Sequence, residues 1–222
     1  NAEDLLTGGD FFVHNGDVLA DLDLQALVDS HFAGGHLVTL GLRSQGGPTQ
    51  VSWDAGSGLV TDIRGTLKNP GTHQTLFTGI YVASPRLFSY FQPGQVASVI
   101  PAFLEAICQG VPVGGVLLDD GHWFDLGTIE SYKDIHRRIQ MGQKFSHAPM
   151  ESWPLPVHPA SRIGDGVELR GAVSIGPGAQ VAGPSILEDC ILWPGAKTAS
   201  RIHLRDCIVR ASAMNSATSE IL

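Results

Sequence analysis

Apolar positions follow two rhythms over roughly the first 140 residues and a third rhythm after that. Phe11–His14 and His36–Leu42 are short, near-continuous apolar runs, the pattern of strands buried on both faces as in parallel sheets. Between them Leu24, Leu27, Val28, His31 and Phe32 recur at helical spacing. Asp23 stands at the N-cap and Gly34-Gly35 ends the run. Leu5 and Leu6 read as the tail of an earlier helix closed by Gly8 and Gly9. Strand, helix and strand in this order form a βαβ unit and predict an α/β fold.

After Arg43 the strands shorten. Gln50–Trp53 and Leu59–Arg64 flank a turn at Asp54–Gly58, and Thr75–Ala83 is a longer strand. Ser84-Pro85 opens a short helix that turns Leu87, Phe88 and Phe91 inward. Ser98–Gln109 is a second helix, burying Ile100, Phe103, Leu104 and Ile107. Val113–Leu118 is a strand that Asp119-Asp120-Gly121 reverses into another, His122–Asp125. Thr128 caps a helix striped with Ile129, Tyr132, Ile135 and Ile139. The following stretch is polar and then carries Pro149, Pro154 and Pro156, so residues 141–156 read as a linker behind a first domain of residues 1–140.

Val157, Ile163, Leu169, Ile175 and Val181 then recur every six residues, with Gly164, Gly166, Gly176 and Gly178 among them. Six is neither the helical nor the strand period. It predicts a left-handed parallel β-helix over residues 157–213, followed by a tail, 214–222, with one branched apolar residue per hexapeptide pointing inside. Leu187–Ala196 (LEDCILWPGA) matches Leu204–Ala213 (LRDCIVRASA) at an offset of seventeen, close to one eighteen-residue coil, which stacks Cys190 on Cys207 as small buried residues.

Composition narrows the function classes. With 43% hydrophobic and 16% charged residues the 222-residue chain can bury a core. Its net charge of −8 argues against a nucleic-acid partner, which needs a basic surface. Three cysteines without a CxxC pair predict neither a disulfide scaffold nor a zinc knuckle. No apolar run reaches membrane-spanning length and no signal peptide is present, so no membrane partner is expected and the cytoplasm is the expected compartment.

The candidate chemistry lies at two strand ends. Asn15-Gly16-Asp17 follows the first strand, and Asp125 ends His122–Asp125 just before a helix. Ligands of open α/β sheets bind beyond the carboxyl ends of strands. Two aspartates there could share one hard divalent ion, which takes oxygen ligands. Each also reads as a turn or helix-start residue.

Asn15-Gly16-Asp17 after an apolar strand, then TGIYV at Thr78–Val82, then WFDLGTIESY at Trp123–Tyr132, resembles the sugar-phosphate nucleotidyltransferases, the NDP-sugar pyrophosphorylases. Members often carry a C-terminal left-handed β-helix. The resemblance covers nearly the whole chain. It implies a Rossmann-like catalytic domain that joins a nucleoside triphosphate to a sugar 1-phosphate and releases pyrophosphate, with Mg²⁺ held by two aspartates. Those aspartates correspond to Asp17 and Asp125. Asn15, Gly16, Lys68, Gly79 and Trp123 fall on its substrate side. Gly79 matches a glycine whose backbone approaches the sugar, and Lys68 matches the lysine of a Glu-Lys-Pro element. Here Leu67 replaces the glutamate and Asn69 intervenes before Pro70, so Lys68 also reads as a surface lysine, and Trp123 also reads as core. Guanylyl transfer to mannose 1-phosphate is the variant the resemblance favours, with uridylyl, thymidylyl and adenylyl transfer open.

The family's glycine-rich nucleotide signature, GxGxRxxP, does not occur ahead of Asn15-Gly16-Asp17. The expectation is therefore a longer natural protein and little or no transferase activity from these residues alone. Two other functions stay open: a non-catalytic regulatory or assembly subunit, and a hexapeptide-repeat acyltransferase using His158 or His203. A homo-oligomer joined through the β-helix is the expected assembly.

Overall fold

The structure, a computed structural model, describes residues 3–92, 94–146, 155–211 and 220–221. Linker residues 147–154, the last two residues of the predicted β-helix, 212–213, and tail residues 214–219 and 222 lie outside the described residues. Contacts divide the chain into two compact units, residues 1–125 with 145–148 and residues 126–144 with 149–222. Residues 126–140, which the sequence grouped with the first domain, cluster with the second unit.

In the first unit, helix α1 (Glu3–Leu6) leads to strand β1 (Phe11–His14) and β2 (Val18–Asp21). Helix α2 (Leu24–Gly34) follows, with Asp23 accepting from the Gln25 and Ala26 amides and Gly35 closing it at φ 58°. Then come β3 (Val38–Arg43), β4 (Val51–Asp54), β5 (Leu59–Ile63) and β6 (His73–Ala83). The segment Pro85–Tyr90 is a 3₁₀ turn capped by Ser84, and α3 (Ile100–Cys108), β7 (Val113–Leu117) and β8 (His122–Asp125) complete the unit.

The six-stranded sheet has the order β1-β6-β3-β7-β5-β4, and β6 also pairs with β4, so the sheet curls back to meet itself. Strand β3 is buried along its whole length and pairs parallel with β7 and antiparallel with β6. The sheet is thus mixed, and antiparallel β6 sits between the two strands of the βαβ unit. Alternation along β6 sorts its side chains. Ile80 and Val82 face α2, packing with Leu22 and Leu27, while Tyr81 and Ala83 face Phe103 and Ala106 of α3. Helices cover both faces, as the α/β expectation required.

Three expectations need correction. Strand β1 is not buried; it is a half-buried edge strand with Phe12 42% exposed, because β6 is its one partner in the sheet. Phe32, placed on the apolar face of α2, is exposed. The turn at Asp119–Gly121 does not fold β8 back on β7. Strand β8 pairs antiparallel with β2, a strand that the sequence reading missed, in a separate two-stranded ribbon.

The second unit begins with helix α4 (Ile129–Gln140), where Thr128 and Ser131 form a capping box. Ile135 is buried, whereas Ile129 is 42% exposed. The short strands are β9 (Arg162–Ile163), β10 (Val167–Arg170), β11 (Ser174–Ile175), β12 (Gln180–Val181), β13 (Ser185–Glu188), β14 (Ile191–Leu192), β15 (Lys197–Thr198), β16 (His203–Arg205), β17 (Ile208–Arg210) and β18 (Glu220–Ile221). They form three sheets: β10-β13-β16, β9-β12-β15 and β11-β14-β17-β18. All pairs are parallel except β17–β18, the last being a strand within the predicted tail. Registers advance by eighteen residues (Leu169 on Leu187) and then by seventeen (Leu187 on Leu204). Cys190 and Cys207 stack as expected, with sulfurs 3.7 Å apart, and burial first, then Cys190, pushes the Cys207 thiol up to about 12. These are structural thiols.

Helix α4 is held to these sheets by charge and by a half-buried polar bridge. Lys133 first, then Arg137, holds the Asp206 carboxyl below its ordinary range. The Gln140 amide donates to Ser174 Oγ at 2.9 Å, and the Ser174 hydroxyl shares a further hydrogen bond with His136 Nδ1 at 3.0 Å. Burial lowers the His136 pKa from 6.5, and in the first unit burial and then His31 lower that of His36. Below 6.5 the unfolded chain therefore binds more protons at both positions than the folded one. Stability is fully present above the unfolded value and is lost as pH falls towards the lowered folded values. Thermal melts from pH 7.5 to 5 should show this loss, and His136→Gln should flatten the part belonging to the second unit. An unchanged slope would refute the burial of His136 as the source of this loss.

Candidate active site

The β2–β8 ribbon brings the two candidate aspartates together. Its register sets Val18 opposite Asp125, so Asp17, one residue earlier, arrives beside the end of β8. The Asn15–Val18 turn that carries Asp17 is closed by Val18 N–H donating to the Asn15 carbonyl, and Asn15 N–H donates to the Gly79 carbonyl at 3.0 Å. Asp17 and Asp125 both line a cavity of about 240 Å³.

Gly79 lines the same cavity at φ 76°, where a side chain is strained. A Cβ there would also come within 2.7 Å of Asn15 Nδ2, so only glycine leaves this turn in place. Trp123 lines the cavity and is fixed by Nε1 donating to the Thr78 carbonyl at 2.9 Å, while Thr78 Oγ1 donates to the Gly41 carbonyl at 2.8 Å. Trp123 also packs with Leu22, Leu27 and Ile80, so it serves core and cavity together.

Of the sequence candidates, Asn15, Asp17, Gly79, Trp123 and Asp125 share this cavity, whereas Gly16 and Lys68 are not among the residues lining it. Lys68 is exposed, at φ 55°, in a loop organised by buried Asp62, whose carboxylate takes the Leu67 and Asn69 amides. The loop Gly46-Gly47-Pro48 forms a wall that sequence reasoning missed. The Gly-Gly-Pro run after β3 was its available signal. Among the described residues no group of three or more His, Cys, Asp or Glu is arranged to hold a metal ion, and no helix is long and apolar enough to cross a membrane. The two acyl-transfer histidines have local partners: His158 Nδ1 accepts the Ala160 amide, and His203 pairs with Glu188 at 3.5 Å.

No family model matches the sequence. A UTP–glucose-1-phosphate uridylyltransferase from Synechocystis sp. is 26% identical over 215 residues, covering 82% of this chain and 54% of that protein. The chain therefore spans about half the length of the curated relative it matches. A solved structure from Bacillus anthracis, described as a glucose-1-phosphate thymidylyltransferase in complex with a sucrose, matches with a TM-score of 0.50 and 19% identity. That match covers 67% of this chain and 61% of that one. The structural likeness shows a Rossmann-like fold shared with that protein, and the sequence likeness is to a protein named as a nucleotidyltransferase.

Proposed function

We propose that the protein transfers a nucleotidyl group from a nucleoside triphosphate to a sugar 1-phosphate. A sugar phosphate oxygen attacks the α-phosphorus, a new P–O bond forms, and pyrophosphate leaves. The observation that carries this reading is the β2–β8 pairing, which brings Asp17 and Asp125 to one cavity. Two carboxylates are a sufficient protein donor set for Mg²⁺, which is commonly bound through one or two carboxylates with substrate phosphates and water. Asp17 and Asp125 would hold it. Bound there, the ion would offset phosphate charge. Gly79 keeps the wall free of a side chain, and Trp123 offers an apolar face fixed by Thr78.

Guanylyl transfer to mannose 1-phosphate remains the variant favoured by the resemblance, while both matched proteins are named for glucose 1-phosphate. The three parallel sheets are read as the faces of a left-handed β-helix, a reading supported by registers of eighteen and seventeen residues. The test is pyrophosphate release by the full-length protein with Mg²⁺, pairing GTP, UTP, dTTP and ATP with mannose and glucose 1-phosphate. Release that requires both substrates is expected. No release with any pair would leave the second reading, a non-catalytic regulatory or assembly subunit, which is favoured by a lining without lysine or arginine.

A further inference from the structure

Arg43, the last residue of β3, is a charged side chain only 6% exposed. Its guanidinium donates to the Leu118 carbonyl through Nη1 and to the Asp119 carbonyl through Nη2 at 3.4 Å. Both acceptors are neutral. Among the described residues Arg43 forms no ion pair, and its buried Nε has no hydrogen-bond partner. The Asp119 carboxylate is turned instead to the Ser44 amide at 2.8 Å. A buried cation balanced by carbonyls alone is costly to keep in a fold.

The orphan Nε lies one layer behind the cavity that holds Asp17 and Asp125. A Cβ built on Gly46 would stand 3.9 Å from Arg43 Nε, 3.7 Å from Trp123 Cε3 and 3.9 Å from Leu76 Cδ2. Gly46, Trp123 and Leu76 all line the cavity. Gly46 has φ 106°, a conformation reserved for glycine, so no side chain intervenes at this point. The lining itself holds two carboxylates and no cation. A phosphate-bearing ligand would therefore meet fixed positive charge from behind the wall, where a desolvated cation is weakly screened. The same guanidinium ties the end of β3 to the Leu118–Asp119 turn, whose continuation is the strand bearing Trp123 and Asp125.

We propose that Arg43 is the buried counter-charge and positioning residue of this cavity for an anionic, phosphate-bearing ligand. The inference rests on the reading that the cavity receives a sugar phosphate. Its test is calorimetry of glucose 1-phosphate and mannose 1-phosphate with Mg²⁺, on full-length wild type, Arg43→Met and Arg43→Lys, together with kcat and KM where turnover is seen. Arg43→Met should weaken hexose 1-phosphate binding about ten- to hundredfold, the scale of losing a unit charge that acts across one layer of the wall at an effective dielectric constant of about 20. Arg43→Lys keeps the charge without the fork and should recover part of that loss. Wild-type binding with unchanged affinity and KM in both variants, whatever their melting temperatures, would overturn the inference and leave the cavity reading standing. Failure of wild type to bind either hexose 1-phosphate would overturn the cavity reading and the inference together. If Arg43→Met does not fold, Arg43→Lys decides: weaker binding supports the role and wild-type affinity refutes it.

Discussion

Asp17→Asn and Asp125→Asn should each lower kcat by about 10²–10³-fold, the scale of losing one preorganised charge-stabilising group, while leaving the fold intact. Both side chains are exposed, so neither substitution opens a core cavity, and each should shift stability by less than about 0.5 kcal/mol. The register of the ribbon predicts more than two separate losses. With Val18 opposite Asp125, the two carboxylates line one cavity, so the double variant should be little worse than the poorer single one. The Mg²⁺ concentration needed for half-maximal rate should rise in each single variant. Asp23 is the control, another acid between a strand and a helix. It caps α2 through the Gln25 and Ala26 amides, so Asp23→Ala should cost about 1 kcal/mol of stability without changing the Mg²⁺ requirement. Strictly additive losses, or an unchanged Mg²⁺ requirement, would remove the shared site.

What could be read from the sequence follows the range of the interactions involved. Helix α2 was legible because its cap, its apolar stripe and its closing glycine are all local. The cysteine stack was legible because a repeat turns a long-range contact into an offset that can be counted along the chain. The ribbon was not legible from pattern alone. Val18–Asp21 is four residues long, follows a turn and finds its partner at His122–Asp125, so nothing local marks it as a strand. Lys68 was singled out on the substrate side because a motif suggested it. Arg43 was not singled out, because the carbonyls that bury it come from Leu118 and Asp119, far along the chain. Lys68 meanwhile sits in a loop shaped by Asp62, and a buried aspartate organising a turn leaves no signature in apolar spacing.

Leu169 belongs to the six-residue rhythm and Leu187 stands one step beyond its last member, Val181, yet their substitution should have very different consequences. In the register Leu169 pairs with Leu187, and Leu187 with Leu204. Leu187 is 0% exposed and lies between two neighbours, whereas Leu169 is 40% exposed because its strand has a partner on one side only. Leu187→Ala should therefore cost about 2–5 kcal/mol, the range for truncating a buried leucine whose cavity cannot collapse. Leu169→Ala should cost less than about 1 kcal/mol, since most of its apolar area already meets solvent. A stacked array transmits such a loss to its nearest neighbours first. Hydrogen exchange in Leu187→Ala should thus quicken at the amides paired across β13, from Val167–Arg170 and His203–Arg205, while β3 and β7 of the first unit keep their protection. Equal losses for the two leucines would mean that residues 157–211 do not stack as successive coils with one open end, and would remove the β-helix reading with them.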